Sequence, residues 1–186
     1  RVFDVGRRVG EFAIQRFPGG KLVQEVDFLK NIEETKALLS SKDPRPIYEA
    51  GIKAGRLYSR ADILVPSPTL PGGWDVVEVK CGTDVKEIYL QDIAFQRYCY
   101  EQAGVRIGRC FLMHINNEYV RSGAIDVQRF FRLVDVTEKL APFTVVLPRL
   151  IDEFLKVIDL PECPRKPIGE YCSFKHGTRY DCAMKP

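Results

Sequence analysis

The chain lacks most of the signals that assign a protein at sight. No apolar run approaches the roughly 18 residues a membrane span needs, so no transmembrane helix is expected. The opening, Arg1-Val-Phe-Asp-Val-Gly6, has none of the pattern of a signal peptide. Without a secretion signal, disulfides are a poor account of the six cysteines, and a cytoplasmic location is expected. There is no glycine-rich phosphate loop, no nucleophile elbow and no supported Cys–His pairing, which argues against a general small-molecule enzyme. No internal repeat or low-complexity tract is visible. Only two histidines are present. His114 lies on an apolar run and reads as a satisfied core residue. His176 lies among Lys175, Arg179 and Lys185, a cluster that either tracks phosphates or is a solvated loop. The chain has no initiator methionine and stops abruptly at Pro186, so both ends are expected to be cut from a longer protein.

What is present is ordinary in bulk and unusual in detail. With 186 residues, 45% apolar and 28% charged, the chain can build one sizeable core. Its net charge of +3 is compatible with a nucleic-acid partner without demanding one. Val5, Val9, Phe12, Ala13 and Phe17 recur at helical spacing before Pro18-Gly-Gly20 ends the pattern. Asn31-Ile-Glu-Glu34 resembles a capping box before Ala37, Leu38 and Leu39. Residues 47–54, 57–66 and 74–81 read as three strands. Residues 88–103 read as a helix with Leu90, Ile93, Ala94 and Tyr98 on its apolar face and Gly104 closing it. Residues 106–116 return as a strand, Asp126 to Phe131 suggests a short helix, and a longer helix runs from about Thr137 to Leu160, disturbed by Pro142 and Pro148. The order predicts an α/β fold with a mixed sheet and helices against it.

Charge interrupts the apolar runs at informative places. Asp62 precedes Ile-Leu-Val in one strand, and Glu78-Val79-Lys80 follows Val-Val in the next. A buried unpaired charge costs several kcal/mol and is seldom kept without a use. Glu78 and Lys80, two apart, project from one strand face, and Asp62 can lie beside Glu78 if the strands are neighbours. Two carboxylates, the Val79 carbonyl and waters suit Mg²⁺ or Mn²⁺, which favour oxygen ligands. Such a metal polarises a phosphate and acidifies a bound water, while a lysine orients that water or steadies the developing charge. The competing account is a salt-bridged Glu78–Lys80 pair at a strand end, with Asp62 in a turn. Glu49 in Ile47-Tyr-Glu-Ala50, on the strand before Asp62, is a candidate third acidic group. Arg60, Lys86, Arg97 and Arg121 are candidate phosphate contacts or ordinary surface charges.

At this point the chain resembles the PD-(D/E)XK nuclease superfamily, in which an acidic residue and a Glu-x-Lys triplet occupy successive strands. It is most similar to the RecB-type branch. The supporting stretches are Val5-Gly-Arg-Arg-Val-Gly-Glu-Phe-Ala13 with Phe17-Pro-Gly-Gly20, Asp92-Ile-Ala-Phe-Gln-Arg-Tyr98, and His114-Ile-Asn-Asn-Glu-Tyr-Val-Arg121. They resemble an uncharacterised bacterial family of that branch, which also includes CRISPR-adaptation nucleases with a C-terminal cysteine cluster. The resemblance implies a restriction-endonuclease-like core over residues 1–137, a helical extension over 138–160 and a cysteine-containing tail over 161–186. It implies that Asp62 and Glu78 bind the metal, aided by Val79 and with Glu49 as a further candidate, and that Lys80 is catalytic. RecB-type enzymes carry a Gln-x-x-x-Tyr motif on the next helix. Here Asp92 and Gln96 stand in those places, with Gln91 or the pair Gln96 and Tyr100 as alternative registers, and Tyr98 as a second-tier residue. The first helix lacks the histidine common in that branch; Gly10 and Glu11 stand near its place.

Cys163, Cys172 and Cys182 are spaced too widely for a zinc knuckle and are one thiolate short of a closed four-ligand site. The resemblance implies that Cys172 and Cys182 are tail ligands of a structural 4Fe–4S cluster completed outside this sequence, with Cys163 incidental or a substitute. Cys81, Cys99 and Cys110 read as buried free thiols. The expected function is metal-dependent hydrolysis of DNA phosphodiesters, with a RecB-like exonuclease in view. The alternatives are a catalytically silent nucleic-acid-binding module of the same fold, or a metal-cluster scaffold.

Overall fold

The computed structural model describes residues 2–23, 27–162, 164, 174–175 and 178–179. Cys163, Cys172, Cys182 and His176 lie outside the described residues. The chain forms two compact units, Arg1–Leu147 and Pro148–Pro186.

The first unit is an α/β structure around a mixed six-stranded sheet. Its strands are β1 (Lys21–Leu22), β2 (Ile47–Ala54), β3 (Leu57–Pro66), β4 (Trp74–Lys80), β5 (Ile107–Ile115) and β6 (Phe131–Asp135), and they lie side by side in chain order. β1 with β2 and β4 with β5 are parallel; the other neighbours are antiparallel. Parallel neighbours need a crossover, and helices α2 (Phe28–Leu39) and α3 (Glu87–Gln102) supply the two. Both pack on one face of the sheet, over a core that includes Ile47, Ala50, Ile52, Leu64, Val76, Ile93, Ala94, Tyr100 and Leu112. Helix α1 (Val2–Ala13) lies on the other face, with Val9 and Ala13 against Tyr48, Ile63, Val77 and Met113.

The sequence pattern locates the three central strands, with β4 ending at Lys80 rather than at residue 81. Cys81 falls beyond that end and is exposed, whereas Cys99 and Cys110 are the buried thiols expected. Helix α2 begins earlier than its apparent capping box. Asp27 is the cap, its carboxylate accepting from the Leu29 and Lys30 amides, and Asn31 lies inside the helix, fully buried. Two strands of the six-stranded sheet escaped the pattern: β1 has only two residues, and β6 follows directly on the short helix α4 (Val127–Phe130), which Asp126 caps. On α3 the buried residues are Ile93, Ala94, Gln96, Cys99 and Tyr100, and Leu90 packs against the core, so most of the expected face is buried; the buried stripe extends to Gln96, Cys99 and Tyr100, and Tyr98 is only partly buried.

A 3-10 turn at Glu138–Leu140 leads into α5 (Ala141–Ile158). Pro142 sits in its first turn, where a missing N–H costs nothing, and Pro148 lies within it. The second unit contains the rest of α5 and a pair of two-residue strands, β7 (Phe174–Lys175) and β8 (Thr178–Arg179). Among the described residues no helix is long and apolar enough to cross a membrane.

Candidate functional site

Three carboxylates stand in line across three adjacent strands. The β2–β3 register pairs Tyr48 with Ile63 and Ala50 with Ala61, so Glu49 and Asp62 are opposite each other between them. The β3–β4 ladder runs from Pro66–Trp74 to Ile63–Val77 and stops there, one step short of Asp62 and Glu78. The Val79 amide bonds instead to Asp62, whose Oδ2 accepts at 2.7 Å. A carboxylate thus takes the place of a strand carbonyl where β3 and β4 cease to pair.

The pleat also breaks along this row. Alternate residues of a strand share a face, yet Tyr48 belongs to the α1 side and Ala50 to the α3 side. On β3, Ala61 lies on the α3 side and Ile63 on the α1 side. The phase therefore changes at Glu49 and at Asp62 together. Glu49 has φ of +57°, and no other non-glycine residue among those described has a positive φ. A left-handed glutamate costs of order 1–3 kcal/mol. Side chains from the two crossover helices bond the backbone around this break. Asn31 Nδ2 donates to the Glu49 carbonyl at 3.1 Å, and Thr35 Oγ1 accepts from the Gly51 amide at 3.0 Å. The Tyr100 hydroxyl donates to the Ala50 carbonyl at 2.6 Å and accepts from the Ala61 amide at 3.3 Å.

Glu78 and Lys80 share the α3 face of β4, as their spacing predicts. Lys80 Nζ lies 2.8 Å from Glu78 Oε1 and 3.1 Å from Asp92 Oδ2, and 5.2 Å from the centre of the Tyr89 ring. Gln96 Nε2 donates to Glu78 Oε2 at 2.6 Å. Glu78 and Gln96 are each 7% exposed, and Gln96 Oε1 has no partner. Asp92 and Gln96, four apart on α3, therefore reach Lys80 and Glu78 respectively, while Tyr100, the next residue in that row, reaches the broken strands. Glu49 sits at the outer end of the line, its Oε2 3.1 Å from Arg60 Nε, both half exposed.

The electrostatics follow from this crowding. Burial pushes the Asp62 carboxyl up to about 8; the Glu78 charge adds to that, while the Val79 amide and Lys80 oppose it. Glu49 is raised by burial, with Arg60 opposing and Glu78 adding. Burial alone would lower Lys80, but Glu78 and Asp92 outweigh it and hold the ammonium above the ordinary lysine value. Lys80 is a fixed cation at neutral pH and not a proton acceptor.

Some sequence candidates stand apart from this arrangement. Tyr98 joins none of its hydrogen bonds or ion pairs. Arg60 is held by Glu49, Arg97 by Glu101, and Arg121 donates to the Gly123 carbonyl, while Lys86 lies over the Tyr89 ring. His114 is buried beside Lys80 in the β4–β5 register, its Nδ1 3.0 Å from the Ile115 carbonyl oxygen. Asn31 and Thr35 were the residues that sequence reasoning missed. Their signal is two polar side chains four apart on the helix stripe that also buries Ile32.

Among the described residues no group of three or more His, Cys, Asp and Glu side chains is gathered to hold a metal ion. Mg²⁺ needs fewer protein ligands: one or two carboxylates suffice when waters complete its octahedron. Asp62 and Glu78 meet that requirement chemically, because the ionisation of one resists that of the other and a divalent cation removes the conflict. The chain matches no protein-family model and no curated protein.

Proposed function

We propose that this chain is a metal-dependent nuclease that hydrolyses DNA phosphodiesters, built on the restriction-endonuclease-like, RecB-type core that its sequence resembles. One observation carries the reading. Asp62 and Glu78 adjoin where the β3–β4 ladder ends, with Lys80 on the Glu78 face and Gln96 bonded to Glu78. A salt-bridged strand end would explain Glu78 and Lys80 but not the adjacent Asp62, whose ionisation it leaves penalised.

Asp62 and Glu78, with the Val79 carbonyl, would hold Mg²⁺ or Mn²⁺. The ion, when bound, supplies Lewis-acid polarisation of the scissile phosphate and acidifies a water. Lys80 is suited to neutralise charge developing on the phosphoryl oxygens, since it stays protonated and its stem is mostly buried. Asp92 holds that ammonium from the helix side, and Gln96 fixes one oxygen of Glu78 while leaving its own Oε1 free to accept from a water.

The test is cleavage of end-labelled single- and double-stranded DNA with Mn²⁺, Mg²⁺ or EDTA. Metal-dependent cleavage that falls at least about 100-fold in Glu78→Gln and Lys80→Met is expected. DNA binding with no cleavage under any metal would reject catalysis in favour of a silent binding module.

A further inference from the structure

We propose that Asn31 and Thr35 of α2 are positioning residues that hold Glu49 in its left-handed conformation, so that its carboxylate adds a third negative charge beside Asp62 and Glu78 and acts on a cation there through that charge, not as one of three gathered ligands. The proposal rests on the metal-dependent reading above. It begins from two polar residues where apolar ones belong. Asn31 is 1% and Thr35 0% exposed, on the face of α2 that packs against β2. Neither bonds to its own helix. Asn31 donates to the carbonyl of Glu49, and Thr35 accepts from the amide of Gly51. They grip the chain on either side of Ala50, immediately after the point where the pleat changes phase.

The surroundings are shaped to that grip. A Cβ on Gly51 would lie 1.8 Å from Asn31 Oδ1 and 2.9 Å from the Tyr58 hydroxyl, so only glycine admits the asparagine. Tyr100, from the opposite crossover helix, bonds the residue between, at the Ala50 carbonyl. Each of residues 49 to 51 thus has a backbone group bonded by a helix side chain. At Glu49 itself the backbone conformation favours glycine, yet a glutamate is kept there. Its one ion pair, with half-exposed Arg60, is too weak a reason. Its position opposite Asp62, in line with Glu78, is a sufficient one.

The whole chain is titrated with Mn²⁺ by calorimetry. Glu49→Gln is expected to weaken binding roughly tenfold, and Thr35→Val, which keeps shape but loses the acceptor, to do the same. Thr35→Ser retains the oxygen and should bind as the wild type does. Thr35→Val added to Glu49→Gln should cause no further loss. A second readout needs no metal: Glu49→Gly should raise the unfolding midpoint by releasing the strained backbone. Wild-type affinity in folded Thr35→Val and Asn31→Leu, with binding abolished in Glu78→Gln, overturns this proposal and leaves the nuclease reading intact. A lowered midpoint in Glu49→Gly overturns it as well. Wild-type protein that binds Mn²⁺ no better than Glu78→Gln overturns the metal reading, and this proposal with it.

Discussion

Burial and the charge on Glu78 both resist ionisation of Asp62, and its proton is held to about pH 8. An unfolded aspartate releases its proton near pH 4. Between these values the folded chain binds the extra proton, so metal-free stability is complete below about pH 4 and declines as the pH rises towards 8. Thermal unfolding in EDTA should show a midpoint that falls from pH 5 to pH 9, and Asp62→Asn should flatten that slope. On the proposed reading, metal binding would have the opposite dependence, because the proton competes for the same oxygens. Mn²⁺ affinity should rise with pH until Asp62 is ionised and level off above about pH 8. The candidates Asp62, Glu78 and Lys80 were legible because charges stood inside apolar runs, where hydrophobic alternation leaves them conspicuous. The strain at Glu49 was not. A left-handed φ at a glutamate has no local signature, and the side chains that bond the backbone around it, Asn31 and Thr35, come from another element.

At the scale of elements, periodicity found the central strands and α3 but mistook the start of α2. Asn31 followed three residues later by Glu34 imitates a capping box, and Asp27 carries out the capping. Asp27→Ala is expected to cost about 1 kcal/mol in chemical denaturation, the usual loss of an N-cap. Glu34→Ala, outside any capping role and partly exposed, should cost much less. Helix α3 was found with Leu90, Ile93 and Ala94 facing the core as expected, but the full stripe was not, because it includes the polar Gln96. A buried polar residue blurs the hydrophobic signal that would have outlined the whole stripe. β1 lay below the length at which alternation can be seen, and it exists through hydrogen bonds from Lys21 to Pro46 and from Val23 to Tyr48.

For the molecule as a whole, strand order in the sheet follows strand order in the chain. That order was partly legible: three adjacent strands with short turns imply two hairpins, and a helix between the next two implies a crossover. The edge strands were not, since their pairing depends on distant chain. The carboxylate row is consequently assembled by two successive hairpins, β2 to β3 and β3 to β4, with little chain to close. Contacts this local cost little loop-closure entropy, so they are expected to form early in folding. On that expectation the repulsion between ionised Asp62 and Glu78 would be met in the transition state and not merely in the finished protein. In EDTA near pH 9, where Asp62 is ionised, Asp62→Asn should accelerate refolding in stopped-flow measurements while leaving the unfolding rate almost unchanged. Above about pH 8 the sheet that brings the acidic groups together would then be slowed by them as it forms, and a divalent cation bound there, on the proposed reading, would speed the chain's own assembly.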